Sequence, residues 1–133
     1  MIEIKHIGNQ HIVEYFIKNK PIGKCKIDTY KNKWSITEWF VDHDFQNMGV
    51  GRRMMRALLK HLSKIYGLPQ KVEYIWNGTN RYVMDWLEDN FDAKCIELPA
   101  VLKQTEESGE DTVLSHVYDL NVAKIIEYFE LNH

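Results

Sequence analysis

The sequence predicts an α/β chain of the α+β kind, a mixed and mostly antiparallel central sheet flanked by helices, and three observations predict it. The first third is written in the two-residue period of strands; at Val50 the period switches to that of a helix; and from Val72 onward strand and helix patterns alternate. A length of 133 residues suits one compact domain spanning 1–133, large enough to bury its own core.

The elements follow in order. Ile2, Ile4 and His6 alternate with Glu3 and Lys5, Gly8-Asn9-Gln10 makes a short turn, and His11 to Lys18 reads as a second strand. Asn19-Lys20-Pro21 supplies the next turn, and Ile22 to Tyr30 runs back, giving an antiparallel meander. Trp34 to Val41 is the next strand. Trp34, Ile36 and Phe40 share one parity and Trp39 and Val41 the other, so bulky groups fall on both faces, as a central strand requires. Val50, Met54, Leu58, Leu62 and Ile65, with Met55, Ala57 and Leu59 beside them, make one apolar stripe of a long helix. Arg52, Arg53, Arg56, Lys60 and Lys64 take its outer side, and Gly67 and Pro69 stop it. Val72 to Trp76 is a short strand, Asn77-Gly78-Thr79 a turn, and Asn80 to Asn90 a second helix with Val83, Trp86 and Leu87 inward. Ala93 to Leu98 and Thr112 to Tyr118 are two more strands, separated by a polar hairpin tip at 104–111. A last helix runs from Val122 to about Leu131, capped by Asn121, with Val122, Ile125, Ile126 and Phe129 on one face.

Composition narrows the function classes. No apolar run approaches the ~20 residues of a membrane span, and the N-terminus lacks the basic start and apolar stretch of a signal peptide, so a cytoplasmic protein without membrane contact is expected. Cys25 and Cys95 have no CxxC spacing and no histidine cluster nearby; both read as buried small hydrophobes, and no metal is expected. Charge is lopsided under a net of -2: residues 1–71 carry 13 Lys and Arg against 6 Asp and Glu, and residues 72–133 carry 4 against 13. The basic half suits a phosphorylated cofactor. The acidic half, with Glu106, Glu107, Glu110 and Asp111 at the hairpin tip, favours a cationic acceptor or is solvated surface. A nucleic-acid interface using Tyr15, Tyr30, Trp34 and Trp39 is disfavoured, because those aromatics alternate as sheet residues that belong in a core.

The informative stretch runs from Val41 to Arg53. It leaves a central strand, turns with Gln46-Asn47-Met48-Gly49-Val50-Gly51 and opens straight into the long helix. A helix start offers main-chain N–H groups without internal partners and a partial positive charge, so it binds phosphate oxygens without any side chain. Glycines allow close approach, and Arg52 and Arg53 can add charge-assisted contacts. A dinucleotide fold would need parallel strands from the start and a different glycine pattern.

These residues resemble the GNAT superfamily of acyl-CoA N-acyltransferases, whose signature Gln/Arg-x-x-Gly-x-Gly/Ala after a strand is matched by Gln46, Gly49 and Gly51. The resemblance spans nearly the whole chain. It implies that Trp39-Phe40-Val41 hydrogen-bonds the pantetheine arm of acetyl-CoA, and that Asn47, Met48, Gly49, Val50, Gly51 and Arg52 grip its diphosphate. Asn80, followed by Trp86-Leu87-Glu88-Asp89-Asn90-Phe91, resembles the family's second motif. The implied activity is transfer of an acetyl group to a primary amine of a small-molecule or peptide acceptor, by a monomer or homodimer. The alternative is a catalytically weak or inactive CoA-binding module acting through a partner.

Four departures accompany the resemblance. Asn47 and Asn90 stand where members carry glycine, and asparagine tolerates the left-handed backbone those places require. Trp86 falls where many members have a tyrosine acid, a role an indole cannot fill. The usual two helices between the first two strands are missing, so the acceptor pocket is open or completed by another subunit. An amine with a pKa near about 10.4 must lose its proton before attack, so a base is needed. The resemblance implies an acidic residue on this strand acting through water, which makes Glu38, sharing parity with Ile36 and Phe40, the candidate; His43 and His116 are alternatives, and Tyr82 and Tyr118 are weak candidate acids.

Overall fold

The computed structural model describes residues 1–76, 81–97 and 116–132. Its strands are β1 (Ile2–Ile7), β2 (Gln10–Ile17), β3 (Lys20–Tyr30), β4 (Lys33–Val41), β5 (Lys71–Trp76), β6 (Lys94–Glu97) and β7 (His116–Leu120). The helices among the described residues are α1 (Val50–Tyr66), α2 (Arg81–Phe91) and α3 (Val122–Tyr128), with a 3-10 turn at His43–Phe45. Among the described residues one seven-stranded sheet results, in the order β1-β2-β3-β4-β5-β7-β6. Neighbours are antiparallel except β4 and β5, whose parallel pairing requires the crossover that α1 supplies.

Turns in the meander are tighter than expected. Lys18 and Asn19 both take left-handed backbone, which completes a two-residue hairpin, so Lys20 and Pro21 belong to β3 rather than to the turn. The two faces of the sheet are set by pairing. Lys26 pairs with Glu38 but Ile27 pairs with Ile36, so Thr37 is an extra residue, a β-bulge in β4. Trp34, Ile36, Trp39 and Val41 therefore all face the helices, while Glu38 and Phe40 face away. The expected parity of Trp34, Ile36 and Phe40, and of Glu38 with Ile36, is corrected by that one inserted residue.

The core lies between the helices and one face of the sheet. Val13, Ile27, Trp34, Ile36 and Val72 meet Met54, Met55, Leu58, Leu59 and Leu62 of α1, all of them buried. Phe91, Phe129 and Tyr128 extend the same core under α2 and α3. Ile65 holds the expected angle on α1 but is 52% exposed, because the helix's last turn outruns its cover. Asn121 caps α3 as expected, its side chain accepting the N–H of Lys124, but the helix stops at Tyr128 and Glu130 turns left-handed. Cys25 is buried, whereas Cys95 is exposed on β6 at the sheet's edge, against the expectation that both are buried. The hairpin tip 104–111 and Asn80 lie outside the described residues.

The opposite face carries charge. Lys5 pairs with Glu14 at 3.0 Å, Lys26 with Glu38 at 3.5 Å and Lys33 with Glu73 at 3.4 Å, and no described helix covers them. No described helix is long and apolar enough to cross a membrane.

Candidate active site

The site begins where β4 parts from β5. Pairing between them runs from Lys33↔Lys71 to Ile36↔Tyr74 and stops, while β5 continues against β7 to Trp76. From Thr37 on, β4 has no β5 partner, so its main chain borders a gap. The split and the bulge coincide, and a bulge is a common device for ending pairing beside a site.

After β4 the chain turns through His43–Phe45, where Asp42 accepts the N–H of His43. Gln46 then folds back, its Nε2 donating to the Val41 carbonyl at 3.0 Å, which fixes the loop to the strand end. Asn47 has φ of 63°, the left-handed position expected of it, and Gly49 follows with φ of 80° as the cap of α1. No side chain caps α1 and its first turn holds no acidic residue, so its leading N–H groups and partial positive charge are left for an anion. Gly51 serves close packing: an added Cβ would stand 3.2 Å from the Trp39 indole nitrogen, which already donates to the Gly51 carbonyl at 3.1 Å.

Between this helix start and α2 lies a recess of about 330 Å³. One wall is apolar, made by Trp39, Val41, Phe45, Val83 and Trp86; the other is made by Gln46 and Asn47 of the loop and by Gly49 to Arg52 at the start of α1. Trp39 and Trp86 meet edge to face at 5.6 Å, and Trp86 is braced by Phe91 and Tyr128. An apolar slot leading to a cationic helix start fits a ligand with a long neutral arm and a diphosphate, and a Cβ on Gly49 would meet the Arg53 and Arg52 guanidinium groups at 3.9 and 4.0 Å. Arg53 donates to the Met48 carbonyl at 3.2 Å, stiffening the loop's outer side.

The predicted residues divide. Val41, Gln46, Asn47, Gly49, Val50, Gly51, Arg52 and Trp86 line the recess together. Met48 is exposed and faces a second recess of about 510 Å³, shared with Arg53, Arg56 and Tyr128. Glu38 and Phe40 lie on the sheet's other face, across the strand from the slot. Glu38 is held by Lys26, and Phe40 is 55% exposed. Tyr118 sits on β7 against Tyr74 and Trp76, and does not line the recess; Tyr82 belongs to α2, and its side chain is not among those described. Asn90 is helical, its amide donating to the Trp86 carbonyl, and the left-handed residue there is Asp92, so the expectation for Asn90 is corrected by two positions. His43 is exposed in its turn, and the His116 ring lies tilted against Trp76 with centroids 5.9 Å apart. Trp39, expected only within the strand segment that pairs with the arm, lines the recess with its ring. Phe45 and Val83 were not singled out as site residues; the signal for Val83 was its place one helical turn before Trp86. Among the described residues no group of three or more His, Cys, Asp or Glu is placed to hold a metal ion.

The family model of the acetyltransferase (GNAT) family matches residues 2–88. Among solved structures, the PaiA N-acetyltransferase of Thermoplasma acidophilum, in complex with coenzyme A, shares 12% identity with a TM-score of 0.59; 84% of this chain is covered and 61% of that one. A GNAT family acetyltransferase of Elizabethkingia anophelis with acetyl-CoA bound gives 11% and 0.62, covering 86% and 77%. The ribosomal-protein-S18-alanine N-acetyltransferase of Escherichia coli gives 12% and 0.62, covering 88% and 72%. The chain thus spans between 61% and 77% of the lengths of these structures. A comparison with curated protein sequences finds no match.

Proposed function

The chain belongs to the GNAT acetyltransferase family, and from that premise we propose that it transfers an acetyl group from acetyl-CoA to the primary amine of a small-molecule or peptide acceptor. The observation that carries this is the uncapped, acid-free start of α1 at the end of an apolar slot, beside a strand whose main chain has lost its neighbour. The diphosphate would sit on the N–H groups from Gly49 onward, with Arg52 adjacent. The pantetheine arm would lie in the slot against Trp39 and Trp86 and pair with β4 beyond Ile36.

In the direct-attack route the amine nitrogen bonds to the acetyl carbonyl carbon, the carbon–sulfur bond breaks, and the nitrogen gives up its proton. A main-chain N–H of Phe40 or Val41 would hold the oxyanion, a contribution of about 3 kcal/mol when such a donor is removed elsewhere. Glu38, on the face away from the slot, is the base: an acceptor approaching from that face meets its carboxylate before the gap. For the departing sulfur, a thiol of pKa near about 8.5 leaves tolerably as thiolate.

Calorimetry with acetyl-CoA tests the site. Gly49→Asp puts a side chain in the left-handed position and a negative charge at the cradle, and should abolish micromolar binding; binding unaffected by it would remove the loop from the cofactor site. Glu38→Gln should lose turnover and keep CoA affinity. A second reading, a CoA-binding module with weak or no catalysis, is favoured by one observation: no described residue lining the recess is an Asp, Glu, His, Cys, Lys or Tyr that could protonate the departing sulfur. Turnover with an amine panel separates the two.

A further inference from the structure

The face of the sheet from which an acceptor would approach has an unequal charge pattern around the gap. On β1 to β4 the cations of that face are Lys5, Lys24, Lys26 and Lys33, as the pairing register places them. Lys5, Lys26 and Lys33 each hold a carboxylate within 4 Å. Lys24 holds none among the described residues. Its cross-strand neighbour Glu14 is engaged by Lys5 at 3.0 Å, and its diagonal neighbour Glu38 by Lys26 at 3.5 Å. Lys24 is nevertheless half-buried, and a cation partly withdrawn from water is ordinarily compensated by an anion.

Position adds to this. Lys24 stands directly opposite Phe40, the exposed residue at the end of β4 that borders the gap. Strands are spaced about 4.8 Å apart, so the gap beyond β4 lies roughly 10 Å from the Lys24 backbone. The lysine side chain and a short acceptor span that distance together. An amine delivered to the gap beside Glu38 would therefore extend its other end over the Phe40 ring to the Lys24 ammonium, with Lys26 adding positive charge one pair away.

We infer that the acceptor of the proposed acetyl transfer is an amine that also carries a carboxylate, and that Lys24 is the residue that selects it. The inference rests on the acetyltransferase reading, and it reverses the cationic acceptor suggested by the acidic second half of the sequence. A polyamine would place a second positive charge against Lys24 and Lys26 in place of the missing anion.

Steady-state kinetics with matched acceptors decide the matter. γ-Aminobutyrate is compared with its amide, and glycylglycine with its amide, each pair differing in one negative charge. The charged member should have the higher kcat/KM by about tenfold or more, as expected of one charge-assisted hydrogen bond, with the difference residing in KM. Lys24→Met should erase the difference and Lys24→Arg should keep it. Equal efficiency within each pair, or a preference that survives Lys24→Met in a folded variant, overturns the inference while leaving acetyl transfer intact. Absence of transfer to every acceptor by protein that binds acetyl-CoA overturns the acetyltransferase reading itself, and this inference with it.

Discussion

The two faces of the sheet solve the same structural problem by opposite chemistry. The helix-covered face is a continuous apolar surface in which Trp34, Ile36 and Val72 are almost wholly excluded from water. The other face binds its strands with lysine–carboxylate pairs laid across the register, and leaves them partly wet. Burying one large apolar side chain is worth about 1.5–3 kcal/mol, whereas an exposed ion pair contributes about 0.2–1 kcal/mol. Stability thus resides on one face, and the other is left free to meet a ligand.

Substitutions can break that division, beginning with the largest effect. Trp34→Ala should cost roughly 3–5 kcal/mol in urea unfolding, since it opens a cavity under α1. A loss below about 1 kcal/mol would mean that the covered face is not the source of stability. Glu73→Ala tests a deeply buried carboxylate on the charged face, 7% exposed and bound by the Ser35 hydroxyl at 2.7 Å and by Lys33. It should cost about 1–3 kcal/mol, because the Ser35 hydroxyl loses its partner.

The third prediction concerns pH and a weak point of the apolar side. His11 is 2% exposed, its Nε2 lies 3.1 Å from the Tyr66 hydroxyl and its Nδ1 has no partner. Burial, and then the charges of His6 and His61, hold its pKa below the ordinary histidine value. Above about pH 6.5 both folded and unfolded chains carry it neutral, and it contributes no slope. As pH falls through that value the unfolded chain takes up the proton first, so stability should fall with pH, by at most about 1.4 kcal/mol per unit. Thermal melts between about pH 7.5 and 5.5 should show the decline, and His11→Phe should flatten it. The smallest effect sharpens the contrast: Lys5→Met, which removes an exposed pair at the outer strand, should change stability by less than about 0.5 kcal/mol in the same urea assay.

The sequence made the phosphate-type loop legible because backbone chemistry is written in residue type. Asn47 and Gly49 occupy left-handed positions as their side chains suggest, and the strand before and helix after them begin within a residue or two of expectation. The bulge at Thr37 was not legible. One additional residue changes neither composition nor propensity, so Glu38 was assigned to the face of Ile36 when pairing puts it on the other. Asn90 failed for a related reason: the left-handed residue lies just past the helix, at Asp92, and several asparagine and aspartate residues there compete for it. The relation of Lys24 to Glu14 and Glu38 was likewise hidden, since it depends on which strands are neighbours.

The bulge at Thr37 makes β4 tolerant of a kind of genetic change that would scramble an ordinary strand. Losing that single codon would leave Ile36 opposite Ile27 and Glu38 opposite Lys26, now as consecutive pairs of an unbroken ladder, so every side chain from Glu38 to Val41 would keep its face. What would go is the local bend and added twist that a bulge gives its strand at the point where β4 parts from β5. An in-frame deletion there would separate two properties that the extra residue joins, the pattern of faces and the parting of the strands.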